Sequence, residues 1–483
     1  MFPKCGGFGE RFLSDALMTL RLFFKNLAKL VQSKKRRERE SRDLTLGVAR
    51  SRDSRRRPVI VLPESMRSQH LGILGLSGSG KTYFIEHLVR QDVEKKNGFV
   101  LFDVHGDLSD SIVAHLTERA SVDTEVKKRT VLLEPFDSER SFGFNPLEEQ
   151  PGVSAFLQAQ EFAHILRVRW RDENLGPRTE ELLRNSLYTL CVNGRTLLDF
   201  HPLLTNKSVR RQWSAQLLPA ISRYWTDRYD ALSARMQAVF REPLLTRISS
   251  FVDDPIIRDI VRQRKSTFSF RRAFEEGFWI IINLSKGRLG ANSQILGSLL
   301  FAKLELEIMS LADVPAAKRR LFSVYADELQ NLAGTSFGRL VAEARKYNIA
   351  LVAGHQFWKQ LAPPFREAML AVGTKVLFRL HYHDAVELAG ELAPSERNRY
   401  ISLLTGLERG EAIVRIGNKR PIRLAVPAHR QSQISKAEIL TFKNQIAERN
   451  TILRSALEFE STSETLPDLR EERGNQDLSA AEL

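Results

Sequence analysis

Cysteine is almost missing: the chain has two, Cys5 and Cys191, in 483 residues. So far apart, they supply neither a disulfide framework nor the paired spacing of a thiolate metal site, so the expected setting is reducing and cytoplasmic. Long apolar runs are missing as well. No stretch approaches the roughly 18 apolar residues needed to cross a bilayer, and the best candidate, 278–284, has only the length of a strand. Nor does a short apolar core with a small-residue cleavage site mark a secretory leader. Acidic charge is in deficit, since 73 Lys and Arg stand against 58 Asp and Glu and leave +15. The first 57 residues hold +10 and residues 458–483 hold −6, which leaves +11 for the middle. Such a balance favours a polyanionic partner over a small acidic one.

What is present is a phosphate-binding signature. Gly75-Leu76-Ser77-Gly78-Ser79-Gly80-Lys81-Thr82 fits G-x-x-x-x-G-K-[ST] at every constrained position. Glycines let successive backbone N–H groups curl around phosphates, and the helix that follows presents its N-terminal partial charge to them. Lys81 adds a mobile cation, and Thr82 adds a hydroxyl for Mg²⁺. An apolar run at 71–74 precedes the signature and a helical pattern at 83–89 follows it. Strand, loop, helix is the order that a phosphate loop requires. The expected cradle is therefore Gly75, Ser77, Gly78, Ser79, Gly80, Lys81 and Thr82, and the expected ligands are a nucleoside triphosphate, taken as ATP, and Mg²⁺.

Five segments follow from composition and periodicity. Residues 1–57 read as an amphipathic helix, with apolar residues at helical spacing over 11–31, then the basic run 34–37 and a charged flexible linker over 41–57. The helix lies on an anionic membrane surface, docks on a partner, or packs on the protein's own body. Residues 58–148 alternate strand and helix, which opens a doubly wound α/β core. Residues 149–275 carry apolar residues at helical spacing and read as an all-α insertion domain. Strands resume over 276–430. Residues 431–483 read as a helix from Ser435, with Ser435 and Glu438 as a capping box, extending to about 457 before an acidic, disordered tail.

Two acids end an apolar strand over 321–328. Asp327 is placed to hold the Mg²⁺ shell and Glu328 to polarise the attacking water. A further strand ends in Gly354-His355-Gln356, where the amide of Gln356 could hydrogen-bond the γ-phosphate or that water.

With these residues, the chain resembles the HerA/FtsK superfamily of RecA-like motors, most closely the TraD/TraG-like conjugative coupling proteins of type IV secretion. The resemblance spans about 58–427. It rests on the order of the phosphate loop, Asp103-Val104-His105-Gly106-Asp107-Leu108, Asn145-Pro146-Leu147, Gly176-Pro177-Arg178-Thr179-Glu180, Asn283-Leu284-Ser285-Lys286-Gly287, Asp327-Glu328, Ala344-Arg345-Lys346-Tyr347 and Gly354-His355-Gln356. It implies an ATP-hydrolysing DNA translocase in a hexameric ring, with a RecA-like motor domain and an inserted all-α domain. It also implies that Arg345 is an arginine finger reaching a neighbouring subunit's nucleotide. Val104 replaces the proline usual in that turn, and the transmembrane helices with which typical coupling proteins begin are absent, which leaves 11–37 as a peripheral anchor at the membrane or a secretion machine. A HerA-like DNA-processing ATPase, a protein-translocating secretion ATPase and a nucleotide-gated docking protein are the alternatives.

Overall fold

The structure is a computed structural model that describes residues 42–50, 57–170, 176–332, 337–430 and 432–457. The amphipathic stretch expected over 11–31 and the tail expected from 460 lie outside these residues. Along the chain, β1 (Leu44–Ala49), β2 (Val59–Leu62) and β3 (Leu71–Leu74) precede the helix Lys81–Glu94, and β4 (Gly98–Asp103), β5 (Thr130–Leu133) and β6 (Arg140–Ser141) follow it. Helices then succeed one another, from Ala155–Arg169 to Phe270–Glu276, with no strand among the described residues. The strands resume with β7 (Trp279–Asn283), β8 (Phe322–Ala326), β9 (Ile349–His355), β10 (Thr374–Leu377), β11 (Glu411–Ile416), β12 (Ile422–Ala425) and β13 (Ile452–Leu453). This is an α/β chain with an all-α insertion.

Two compact units result. The first gathers the described residues of Met1–Gly98, Leu321–Ser323 and Asn348–Arg430, and the second those of Phe99–Arg320, Val324–Tyr347 and Gln431–Leu483. Their limits differ from the segment limits expected from composition, because contact rather than element type sets them. The last inserted helix, for example, is tied to the long helix Asn292–Ser310: the Arg271 backbone N–H donates to Glu307 Oε2 at 2.5 Å, and Arg271 Nη1 donates to the Ser310 carbonyl at 2.9 Å.

In the first unit the strand order is β2-β1-β12-β11-β10-β3-β9. β3 lies parallel to β10 and β9, with Leu74 opposite Leu377 on one side and His355 on the other. The four outer strands pair antiparallel. β2, which the sequence places before the phosphate loop, is therefore the edge partner of β1. In the second unit β7 lies parallel between β4 and β5, and all three are buried throughout and apolar except for the terminal Asp103, Thr130 and Asn283, as a sheet covered on both faces requires.

Two expectations need correction. Residues 44–49 are a strand rather than part of a flexible linker. Leu44, Leu46 and Ala49 are buried, and Gln91 holds Thr45 by a pair of hydrogen bonds, its Nε2 donating to the Thr45 carbonyl at 2.9 Å and its Oε1 accepting the Thr45 N–H at 2.8 Å. At Gly47 a Cβ would stand 2.5 Å from the Ala425 carbonyl oxygen, so the charged surroundings conceal a site that only glycine fits. The final helix, capped by Ser435 and Glu438 as expected, runs over Lys436–Ala447 and stops ten residues early. Beyond it β13 pairs antiparallel with β6, and Arg454 donates to the carbonyls of Asp137 and Pro135, both at 2.9 Å.

The first unit is pinned by a buried ion pair. Arg67 Nη2 donates to Asp92 Oδ2 on the helix Lys81–Glu94 at 2.5 Å and to Ser323 Oγ in β8 at 2.7 Å. Removing one partner strands a buried charge, which typically costs about 3–5 kcal/mol. Arg67→Ala is expected to lower the unfolding free energy from denaturant titration by that amount and to move the midpoint down accordingly, whereas Arg67→Lys, which keeps the charge but not the fork, should fall between it and the parent. An unchanged midpoint for Arg67→Ala would refute the pinning role.

Candidate nucleotide site

The loop between β3 and the helix Lys81–Glu94 takes its shape from glycine. Gly78 has φ +72° and Gly80 φ +112°, values that side chains oppose. At Gly80 a Cβ would also lie 3.1 Å from the backbone nitrogen of Gly410. The other wall is closer still, since Gly75 has the Phe378 Cβ 2.6 Å from where its own would be. Ser77 and Gly78 are exposed at the tip, Ser79 is buried, and Thr82 is exposed at the start of the helix. Helix N-termini carry unsatisfied N–H groups and a positive partial charge, so this first turn is chemically fit for an anion.

Lys81 is folded back onto its own loop. Its Nζ donates to the carbonyls of Gly75 at 2.7 Å and Leu76 at 3.2 Å. Behind it, β9 brings His355, whose carbonyl accepts the Gly75 N–H at 3.2 Å. The His355 ring is fully buried, and burial first, then the nearby Lys81 cation, lowers its pKa to about 3. It is therefore neutral at physiological pH and adds no second charge behind the loop. Gln356 follows β9 in the same unit and is half-buried.

Asp327, Glu328 and Arg345 belong to the second unit. β8 delivers Asp327 and Glu328 at its carboxyl end, both buried. Glu328 has φ +59°, a left-handed conformation unusual for a residue with a side chain and of the kind that clusters at functional sites. Its carboxylate is contacted by the Gln330 amide. Arg345 is exposed and makes no ion pair among the described residues, so the salt bridge to an acid of its own helix is not formed. Its neighbours are fixed, since Arg319 donates to the Lys346 carbonyl at 2.7 Å and lies over the Tyr347 ring at 5.1 Å.

The other sequence motifs close turns. Asp103 accepts the backbone N–H groups of His105 and Ser109, at 2.9 and 2.8 Å. Asn145 donates to the Arg195 and Arg264 carbonyls and accepts the Leu147 N–H. Asn283 accepts the Ser285 N–H at 3.2 Å. Among the described residues no group of three or more His, Cys, Asp and Glu could hold a metal. Mg²⁺ needs none, because it takes most of its shell from phosphate and water and one or two side chains. Thr82 and Asp327 are donors of that type.

A family model described as the type IV secretion-system coupling protein DNA-binding domain matches residues 55–387, more than half of the chain. The chain belongs to this family. Solved structures agree on the fold of this coupling-protein chain. The plasmid coupling protein TrwB, in complex with a non-hydrolysable ATP analogue, matches with a TM-score of 0.57 and 17% identity over 78% of this chain and 89% of that one. The same protein with ADP and Mg²⁺ gives 0.55 and 15% over the same shares. VirB4 of Thermoanaerobacter pseudethanolicus gives 0.53 and 14% over 81% and 98%. No curated protein matches. Among the described residues of the coupling-protein chain, no helix is long and apolar enough to cross a membrane.

Sequence reasoning missed two neighbours of the loop. The Gly410 N–H donates to the Ser79 carbonyl at 2.9 Å, and the His429 ring stacks on Tyr83 with centroids 4.1 Å apart. Their only sequence signal is a glycine before β11 and a histidine after β12, too little to link either to residues more than 300 positions away.

The burial of His355 has a pH consequence. Unfolded, the ring takes a proton below its ordinary 6.5; folded, it resists to about 3. The penalty is absent above pH 6.5 and grows as pH falls towards 3, at up to about 1.4 kcal/mol per pH unit. His355→Gln should flatten the loss of stability over that window in urea titrations, and an unchanged slope would show that the ring is not held neutral.

Proposed function

We propose that this chain is an ATP-driven DNA translocase, the coupling motor of a conjugative or type IV DNA-transfer system, working as a ring of identical subunits. The observation that carries this reading is the glycine-shaped loop with Lys81 and Thr82 at the head of a helix, in a chain of the coupling-protein family. The solved TrwB complexes with nucleotide and with ADP and Mg²⁺ support ATP and Mg²⁺ as the ligands. The basic middle of the chain suits a partner built of phosphates. Residues 11–37 fit a peripheral anchor at the inner face of a membrane or on a secretion machine.

The residues divide the chemistry as follows. The 75–82 backbone and Lys81 would hold the β- and γ-phosphates; the Thr82 hydroxyl and the Asp327 carboxylate are the groups that would take Mg²⁺, which when bound would neutralise charge on phosphoryl oxygens. Glu328 orients and polarises the attacking water once its carboxylate leaves Gln330. Gln356 hydrogen-bonds the γ-phosphate or that water. Arg345 completes the site of the neighbouring subunit.

ATPase assays with and without single- and double-stranded DNA, across a salt series, test the reading. DNA is expected to stimulate hydrolysis, and binding should weaken steeply with salt. Hydrolysis indifferent to DNA would favour a protein-moving ATPase, and tight ATP binding with negligible hydrolysis a docking protein.

Two variant sets separate the roles. Lys81→Ala should lose ATP binding, whereas Glu328→Gln should keep it and turn over about 10²- to 10⁴-fold more slowly. Parent-like turnover by Glu328→Gln would remove the base from this position. Arg345→Ala should bind ATP yet lose hydrolysis by about 10³-fold or more, and mixing it with Glu328→Gln should restore part of the activity at mixed interfaces. A monomer that hydrolyses at full rate would sink the shared site.

A further inference from the structure

A loop that grips phosphates says nothing about what holds the rest of the nucleotide. In the first unit two segments border the loop. The turn before β11 is tied to it by the Gly410 N–H on the Ser79 carbonyl, and the close approach of Gly410 adds to the positive φ that opposes a side chain at Gly80. The stretch after β12 is tied to that same turn, since the Val426 N–H donates to the Gly410 carbonyl at 2.9 Å. It then runs to His429, whose backbone N–H donates to the Tyr83 hydroxyl at 2.6 Å and whose ring lies on the Tyr83 ring at an interplanar angle of 10°.

Tyr83 directly follows Thr82, in the first turn of the helix that the phosphate loop leads into. Both rings are only half-buried. Their orientation is fixed, because His429 Nε2 meets Glu86 Oε1 at 2.9 Å and Glu86 is itself held by Arg90 at 2.7 Å. Burial lowers the His429 pKa below its ordinary value, so the ring offers a neutral π-face. Arg409, next to Gly410, is exposed and has no ion pair among the described residues. An oriented aromatic pair and an exposed guanidinium, each on a segment bonded to the phosphate loop, suit a planar, electron-rich ring: stacking and cation–π contact both grip the face of a base.

We propose that Tyr83, His429 and Arg409 form the nucleobase subsite of the nucleotide site, an assignment that rests on the nucleotide reading above. The subsite distinguishes a nucleoside triphosphate from bare phosphate, and it couples the turn before β11 to the presence of a base.

Calorimetry of the full chain with Mg²⁺ and either ATP or inorganic tripolyphosphate tests this. The parent is expected to bind both. Arg409→Ala, a surface change that spares folding, and Tyr83→Ala should each weaken ATP by about tenfold and leave tripolyphosphate unchanged. His429→Phe, which keeps a ring, should stay close to the parent, while His429→Ala should weaken ATP alone. Equal weakening of both ligands would mean that the changes act through the phosphate loop, and unaltered ATP affinity in Arg409→Ala and Tyr83→Ala would show that the base lies elsewhere; either result overturns the subsite. A parent that binds neither ligand overturns the nucleotide reading itself, and the subsite with it.

Discussion

At Gly80 the backbone turns through a left-handed conformation with the Gly410 nitrogen 3.1 Å from where a Cβ would stand. Much of the first unit depends on this contact. Because no side chain intervenes, the Gly410 N–H reaches the Ser79 carbonyl, β11 starts against the phosphate loop, and Val426 closes on Gly410 from the other side. The parallel strands β10 and β9 hold β3 from both flanks in register, so the point at which the loop leaves Leu74 is fixed too. The loop is thus clamped by backbone hydrogen bonds from distant strands rather than by its own sequence.

That contrast explains what the sequence could reveal. The requirements of a phosphate loop are local: glycines where φ is positive, a lysine, a hydroxyl and a helix, all within eight residues. Asp327 and Glu328 were readable for the same reason, as acids at the end of an apolar run. β1 was not. Its Leu44-Thr45-Leu46 alternation is a strand signal, but it lies among arginines and owes its place to Gln91 and to antiparallel neighbours far away in sequence. The end of the final helix was hidden likewise. Helical spacing continues past Ala447, but pairing of Ile452 with Ser141, some 300 residues distant, decides where the helix stops.

The motifs that carried the resemblance divide into two kinds. Lys81, Thr82, Asp327 and Glu328 have groups that suit the reaction. Asp103, Asn145 and Asn283 instead satisfy backbone N–H groups at buried turns. Leaving such a donor without a partner costs about 1–3 kcal/mol, and a short side chain with an acceptor at fixed reach is the economical remedy. A signature made partly of such residues marks the shape of the chain as much as its chemistry.

Electrostatics behind the loop favours a single mobile cation. Were His355 protonated, it would add a buried positive charge beside Lys81, with little solvent to screen it. Burial keeps the ring neutral, and Lys81 instead spends its donors on the Gly75 and Leu76 carbonyls. Hydrogen bonds to a charged group contribute about 1.5–3 kcal/mol each. With the ring neutral behind it, the Lys81 charge is met by two oxygens of its own loop, and the cation that the sequence pattern named is held in place by that loop's backbone.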